Sequence, residues 1–293
     1  MSSWELDPAL FLSSRFQLPA PAEEVACVIC ANPAIDDQPR LIRIIDVNPT
    51  SRSYSDTVGE IAIGRGDVRP CVSGAPEPDR WQQIAPRVLL AHDPACTYGF
   101  VSSGFSLHDL SSAVSIWHRG DDPATPGPWA PRQVIAIADE PACAEQLPTL
   151  LRQSGAVPAL ITDMALSADD HFLYVACWGS GSLRQFDVSN PLQPREIAFV
   201  QIGGIATRTA HPSQARRLNG GPASVTVSRD GRRVYLTNAL SQSWNNALYP
   251  DGLQGWMVKL DADSCGISVD PNFFVDFGDL CPLRVCLPDQ AWE

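Results

Sequence analysis

The sequence predicts an all-β chain folded as a four-bladed β-propeller. Three observations point there. Two segments repeat one strand–turn–strand pattern, Ser167-Ala-Asp-Asp-His-Phe-Leu-Tyr-Val175 and Ser228-Arg-Asp-Gly-Arg-Arg-Val-Tyr-Leu236, with Tyr174 and Tyr235 61 residues apart. Each copy is flanked by further apolar runs, giving four consecutive strands per repeat, which is the unit of a propeller blade. The 26 prolines and 20 glycines among 293 residues favour short elements over long helices.

The first blade takes strands at 25–29, 41–46 and 59–63, whose apolar residues alternate or run together as in half-buried strands. Its missing inner strand comes from the far end of the chain, at 282–285. Both termini thus share one blade, and neither edge stays open. The second blade runs through 86–91, a turn at His92-Asp-Pro-Ala, then 98–101, 113–117 and 133–137. A helix is expected at 143–153, ended by Gly155. The third blade comprises 160–166, the first repeat turn and its return strand, 182–187 and 197–202. The fourth comprises 222–227, the second turn and its return strand, 256–261 and 273–277, with Gly231 suited to a positive φ in the turn. The expected whole is one domain over 1–293, of hemopexin-like size. Its blades lie at about 84–138, 158–203, 218–278, and 20–65 plus 280–292.

Apolar residues reach 44% and charged residues only 18%, enough for a sizeable core. A net charge of −12 argues against nucleic acid and against anionic membrane surfaces, which recruit basic stripes. Lys259 is the only lysine, the other basic residues being arginine. Nine scattered cysteines, no signal-peptide pattern and no apolar run of membrane-spanning length suggest a cytoplasmic protein with free thiols. Cys27-x-x-Cys30 sits in an apolar alternating run without a second such pair or a nearby histidine, and reads as a buried strand.

Several blocks then resemble one family. Leu160-Ile-Thr-Asp-Met-Ala-Leu-Ser-Ala-Asp-Asp-His-Phe-Leu-Tyr, Leu183-Arg-Gln-Phe-Asp-Val-Ser-Asn-Pro, Gly220-Gly-Pro, Leu248-Tyr-Pro-Asp and Pro271-Asn-Phe-Phe-Val-Asp-Phe-Gly are similar to the selenium-binding protein/methanethiol oxidase family. They fall in the family's order between about 158 and 278, with a fainter likeness over 23–83. The resemblance implies descent from a larger propeller with its middle removed. It also implies copper held by histidines at the channel mouth, but the family's His-His motif has no counterpart. Its His-Glu-Leu-Arg motif reads Cys281-Pro-Leu-Arg284, so the histidine is lost and the arginine kept. Cys30 matches the family's selenium-linked cysteine, and Asp163 the aspartate of its Leu-Ile-Thr-Asp motif. Five histidines remain, His92, His108, His118, His171 and His211, none spaced as ligands on one element. The expectation is therefore no metal and no cofactor.

A propeller site forms where inner strands begin and long loops meet. These strands begin near Arg87, Asp163, Pro222 and Arg284. An aspartate facing two arginines can bind and polarise an oxygen-rich ligand, or it can simply be a structural ion pair. Arg87, Asp163, Arg284 and His108 are the candidate catalytic residues. Trp81, Trp178, Trp244, Tyr249 and His211 are the candidate substrate-binding residues, either as an apolar wall or as blade packing. The segment from Gly203 to Gly221 is a lid or a plain loop, and its Gly-Gly pairs lack the strand–loop–helix setting of a phosphate loop.

The expected partner is a small hydrophobic and oxygenated substrate. The first functional reading is a metal-independent cyclase of secondary metabolism. It resembles, in size and reduced shape, fungal hetero-Diels–Alder cyclases that join a tropolone quinone methide to a terpene, chiefly by proximity and orientation. The alternatives are a copper-dependent thiol oxidase like the fuller family and a non-catalytic binding propeller.

Overall fold

A computed structural model describes residues 22–32, 39–62, 87–93, 96, 98–106, 108–118, 130–214 and 217–288. Within them the chain is all-β and almost wholly antiparallel in sequence order. The first sheet contains β1 (Val25–Ala31), β2 (Pro39–Asp46) and β3 (Thr57–Ala62). The second contains β4 (Val88–Leu90), β5 (Tyr98–Ser103), β6 (Ser112–His118) and β7 (Ala130–Ile137). A ribbon of β8 (Glu140–Pro141) and β9 (Ala156–Val157) precedes the third sheet, of β10 (Ile161–Leu166), β11 (Phe172–Cys177), β12 (Ser182–Asp187) and β13 (Arg195–Gln201). The fourth sheet has β14 (Ser224–Val227), β15 (Arg233–Thr237), β16 (Gly255–Asp263) and β17 (Gly266–Gly278), with α1 (Gln242–Leu248) inserted between β15 and β16. The last strand, β18 (Cys281–Cys286), returns to the first sheet beside β1, in the order β18-β1-β2-β3. The strand expected to come from the chain's far end is found there.

The two repeat turns match atom for atom. Ser167 Oγ donates to Asp169 (2.5 Å) and accepts from the Phe172 amide (2.9 Å). Ser228 Oγ donates to Asp230 (2.7 Å) and accepts from the Arg233 amide (2.9 Å). The left-handed position is filled by Asp170 (φ 59°) in one copy and by Gly231 (φ 73°) in the other. Both following tyrosines are fully buried.

The helix expected at 143–153 is not formed. Two single 3₁₀ turns, Ala144–Gln146 and Thr149–Leu151, stand in its place. Pro148 lies between them, and a residue before proline is pushed out of the α region. Leu147 is accordingly extended at ψ 139°. The two-residue β8 and β9 are too short to leave a periodic signal, and α1 has seven residues in a stretch that reads as loop.

Successive sheets are glued by apolar layers. Phe100, Val114, Ile116, Met164, Leu173 and Val175 join the second sheet to the third. Tyr174, Leu183, Val225, Leu236 and Trp256 join the third to the fourth. Ala26, Val28, Tyr235, Phe273 and Val285 join the fourth to the first. The inner strands are also stitched by polar bonds. Ile161 N–H donates to Gly104 O (3.1 Å), Thr162 Oγ1 to Ala223 O (2.8 Å) and Thr226 Oγ1 to Val285 O (2.9 Å). Lys259, buried at 4% exposure, pairs with Asp270 (2.8 Å) and lies over the Tyr54 ring, linking the fourth sheet to the first. Between the first and second sheets no comparable buried cluster occurs among the described residues. Val58 and Ile61 on one, and Val88 and Leu90 on the other, are exposed. No described helix is long and apolar enough to cross a membrane.

Candidate functional site

Asp163 sits near the start of β10, where a bulge between Ile161 and Asp163 displaces its carboxylate from the regular ladder. Its Oδ2 accepts from Ser224 Oγ (3.0 Å) and from the Val225 amide (3.0 Å) at the start of the neighbouring inner strand. Its Oδ1 accepts from the Met164 amide (2.9 Å) and faces Arg87 Nε at 3.1 Å. Arg87 is anchored by backbone exchange with Ser102, whose hydroxyl accepts from the Arg87 amide (2.9 Å) while the Ser102 amide donates to Arg87 O. Arg284, on β18, lies within electrostatic reach of the same carboxylate. Three inner strands and the residue leading into a fourth thus meet around one acidic group.

Burial raises the Asp163 pKa, and this outweighs the opposing pull of Arg87, the Val225 amide, Arg284 and Ser224. The carboxylate therefore holds a proton more readily than an ordinary aspartate. A weakly acidic carboxyl beside two permanent cations can exchange a proton with a ligand that the cations attract.

The other expected site residues fall in different places. Trp178, Trp244 and Tyr249 do come together, in a cluster with Leu147, Leu160, Ile205 and Leu248. All three are buried. Trp178 Nε1 donates to Asn238 O (2.9 Å), and its ring meets Tyr249 edge-on at 5.2 Å. They pack against one another rather than around an open space. His211 is buried at the outer strand of the fourth sheet. Its Nε2 lies 3.1 Å from Asp270 O, its Nδ1 2.8 Å from Ser213 Oγ, and its ring against Phe274. Both ring nitrogens are engaged, far along β17 from the inner strands. His108 is exposed in the loop between β5 and β6, its amide donating to Ser106 Oγ (3.2 Å). Trp81 lies outside the described residues.

An open cleft of about 380 Å³ lies over the aromatic cluster, lined by Arg152, Ile205, Arg208, Arg217, Leu248 and Asp251 among others. Ile205, Ala206, Arg208 and Arg217 form one side of it. Gly203 and Gly220 meet at positive φ, and a Cβ on Gly203 would collide with Gly220 O. These glycines serve a backbone-to-backbone contact.

Copper, implied by the family resemblance, does not fit the described residues. No three His, Cys, Asp or Glu side chains converge to hold a metal among the described residues. His92 is bound at Nδ1 to Asp170 (2.7 Å) across the second and third sheets, and His171 lies in an outer turn against Asp169. Cys30 is buried, with its thiol pushed up to about 12 by burial, so it is not a ready thiolate.

Sequence reasoning missed Ser224 and Thr162. Both are small hydroxyl residues in apolar strands, and such an interruption is the signal that would have marked them. Their roles depend on which strand adjoins which, and Ser224 meets Asp163 across 61 residues of chain.

Comparison with known proteins places the chain among its relatives. The model of the family described as 56 kDa selenium binding protein matches residues 80–287. Methanethiol oxidase of Mus musculus is 33% identical over 211 residues, 65% of this chain and 41% of that protein. Selenium-binding protein 3 of Arabidopsis thaliana is 31% identical over 213 residues. The chain spans about two-fifths of the length of these curated relatives. The X-ray structure of a hypothetical selenium-binding protein from Sulfolobus tokodaii superposes with a TM-score of 0.80 at 25% identity, covering 97% of this chain and 98% of that one.

Proposed function

The chain belongs to the 56 kDa selenium-binding protein family, and from that premise we propose an enzyme acting on a small organic molecule, a thiol of the methanethiol class, at the meeting point of Arg87, Asp163 and Arg284. The observation that carries this reading is the Asp163 carboxylate, fixed by Ser224, Val225 and Met164 and faced by Arg87 at 3.1 Å. Asp163 accepts the thiol proton, and Arg87 and Arg284 hold the thiolate that this leaves. Among the described residues no set of side chains converges to hold copper. The site has most meaning if the four sheets close as a four-bladed propeller, which sets the four strand starts around one channel. The three packed junctions and the shared first sheet support that closure. Eight free thiols among the described cysteines suit a reducing, cytoplasmic setting.

The test is peroxide release from methanethiol by the purified protein under air, dioxygen accepting the two electrons and two protons that give hydrogen peroxide. Turnover should fall at least tenfold in Arg87→Met and in Asp163→Asn, with the circular dichroism unchanged. Undiminished turnover in both variants rules out the site, and no turnover in the wild type rules out the substrate.

One observation favours a second reading. Two guanidinium groups about one carboxyl suit a substrate with adjacent oxygens, such as a tropolone quinone methide. In a hetero-Diels–Alder cyclisation Arg87 or Arg284 would polarise the heterodiene oxygen, and Asp163 would assist loss of water. The terpene would need the Trp178, Trp244 and Tyr249 cluster to open. Product formation in excess chelator would establish this reading in place of thiol oxidation.

A further inference from the structure

Cys27-x-x-Cys30 invites reading as a dithiol pair, but the strand separates its members. Residues three apart on a β-strand point to opposite faces. Cys30 packs with Ala26, Val28 and Val285 in the layer against the fourth sheet. Cys27 faces the other way and is half-buried. In the β1–β18 ladder its direct partner is Cys286, also half-buried, and the register there is continuous through Val28–Val285 and Ile29–Arg284. Directly opposed residues of an antiparallel pair have Cα atoms about 4.5 or 5.5 Å apart. Both spacings lie within the roughly 4.4–6.8 Å that a disulfide spans. Opposed residues also share a face, so the two thiols point to the same side.

We propose that Cys27 and Cys286 form a reversible cross-strand disulfide, an oxidation site that latches the first strand of the fold to the last. The oxidant is a hydroperoxide. Hydrogen peroxide converts the Cys27 thiol to a sulfenic acid with release of water. The Cys286 sulfur then displaces the second water, so that two thiols and one peroxide give one disulfide and two waters. A dithiol reductant returns both thiols. Burial raises the pKa of both groups. Oxidation is therefore slow at neutral pH and quickens about tenfold per pH unit toward their pKa values. The bond closes a loop of nearly the whole chain, the case in which chain-entropy arguments give the largest stabilisation.

The experiment treats the reduced full-length protein with hydrogen peroxide and maps the peptides by mass spectrometry. A Cys27–Cys286 cross-linked peptide should appear, with loss of two titratable thiols and a rise of several degrees in Tm that dithiothreitol reverses. Cys27→Ser and Cys286→Ser should each abolish the cross-link and the Tm rise while leaving the reduced Tm within about two degrees. A Cys27–Cys30 cross-link, or both cysteines still free after other thiols have oxidised, overturns the proposal. Because the wild-type peptide map needs no variant and no enzymatic assay, its outcome is independent of whether the mouth residues turn over thiols.

Discussion

Among single residues, Asp163 has the most to reveal. Its pKa is raised in the folded protein by burial, against Arg87 and the other donors. A carboxyl whose folded pKa exceeds its unfolded one binds protons more tightly when folded. Its contribution to stability is full below the unfolded value, near 3.9, and is lost as pH rises through the folded value. Asp163→Asn removes this dependence and keeps an acceptor for Ser224 and Val225. The urea midpoint of the wild type relative to Asp163→Asn should therefore fall as pH is raised from about 4 to 7. A difference that stays flat, or grows with pH, would mean that Arg87 and Arg284 dominate over burial. The same residue shows what a single chain can disclose. Asp163 is readable because it stands near a strand start and in a Leu-Ile-Thr-Asp block that resembles the family's. The setting of His211 is not, because the carbonyl that holds it belongs to Asp270, 59 residues away.

Strands are legible because alternation and turn chemistry act over a few residues. Every strand expected from the sequence is present, and the 182–187 strand has the expected bounds. Where other constraints decide the structure, local pattern misleads. The 143–153 segment has helical apolar spacing but is divided by Pro148, and α1 escapes notice because seven residues with two asparagines carry little helical signal. The repeat turns allow a quantitative test of local chemistry. Gly231 stands at φ 73° with open space where a Cβ would sit, so added bulk meets no clash and only the backbone objects. Gly231→Ala should cost about 1 kcal/mol, whereas Gly231→Asp, mimicking Asp170 of the sister turn, should cost less than half of that. Chemical denaturation of the two variants measures the difference, and equal losses would show that the left-handed turn is not what limits this position.

Across the whole molecule, the first and last strands are tied into the middle of the fold. β18 supplies the inner edge of the first sheet, and the residues leading into β1 are clamped to the fourth sheet through Glu23. Its Oε1 accepts from Arg233 Nε (2.8 Å) and Tyr235 Oη (2.7 Å), and its Oε2 from Arg233 at 2.7 Å. The Glu23 side chain is only 4% exposed. Losing Glu23 leaves Arg233, itself 17% exposed, with Asp230 at 3.3 Å as its remaining partner, so the loss is that of charge-assisted hydrogen bonds, about 1.5–3 kcal/mol. Glu23→Gln should fall in that range at pH 7, far beyond a surface substitution. Burial would raise the Glu23 pKa, but the hydrogen bonds from Arg233 and Tyr235 prevail and hold it below the ordinary value of 4.5. Its stabilisation is therefore present above 4.5 and lost as pH falls through the folded value. The gap between wild type and Glu23→Gln should close on acidification, opposite in sense to the trend at Asp163. Unfolding both variants across about pH 3–8 separates the two ties: the Asp163 carboxyl penalises high pH, and the clamp on the first strand penalises low pH. If Glu23→Gln matched the wild type at neutral pH, the junction between fourth and first sheets would rest on its apolar layer, the Thr226–Val285 bond and the Lys259–Asp270 pair.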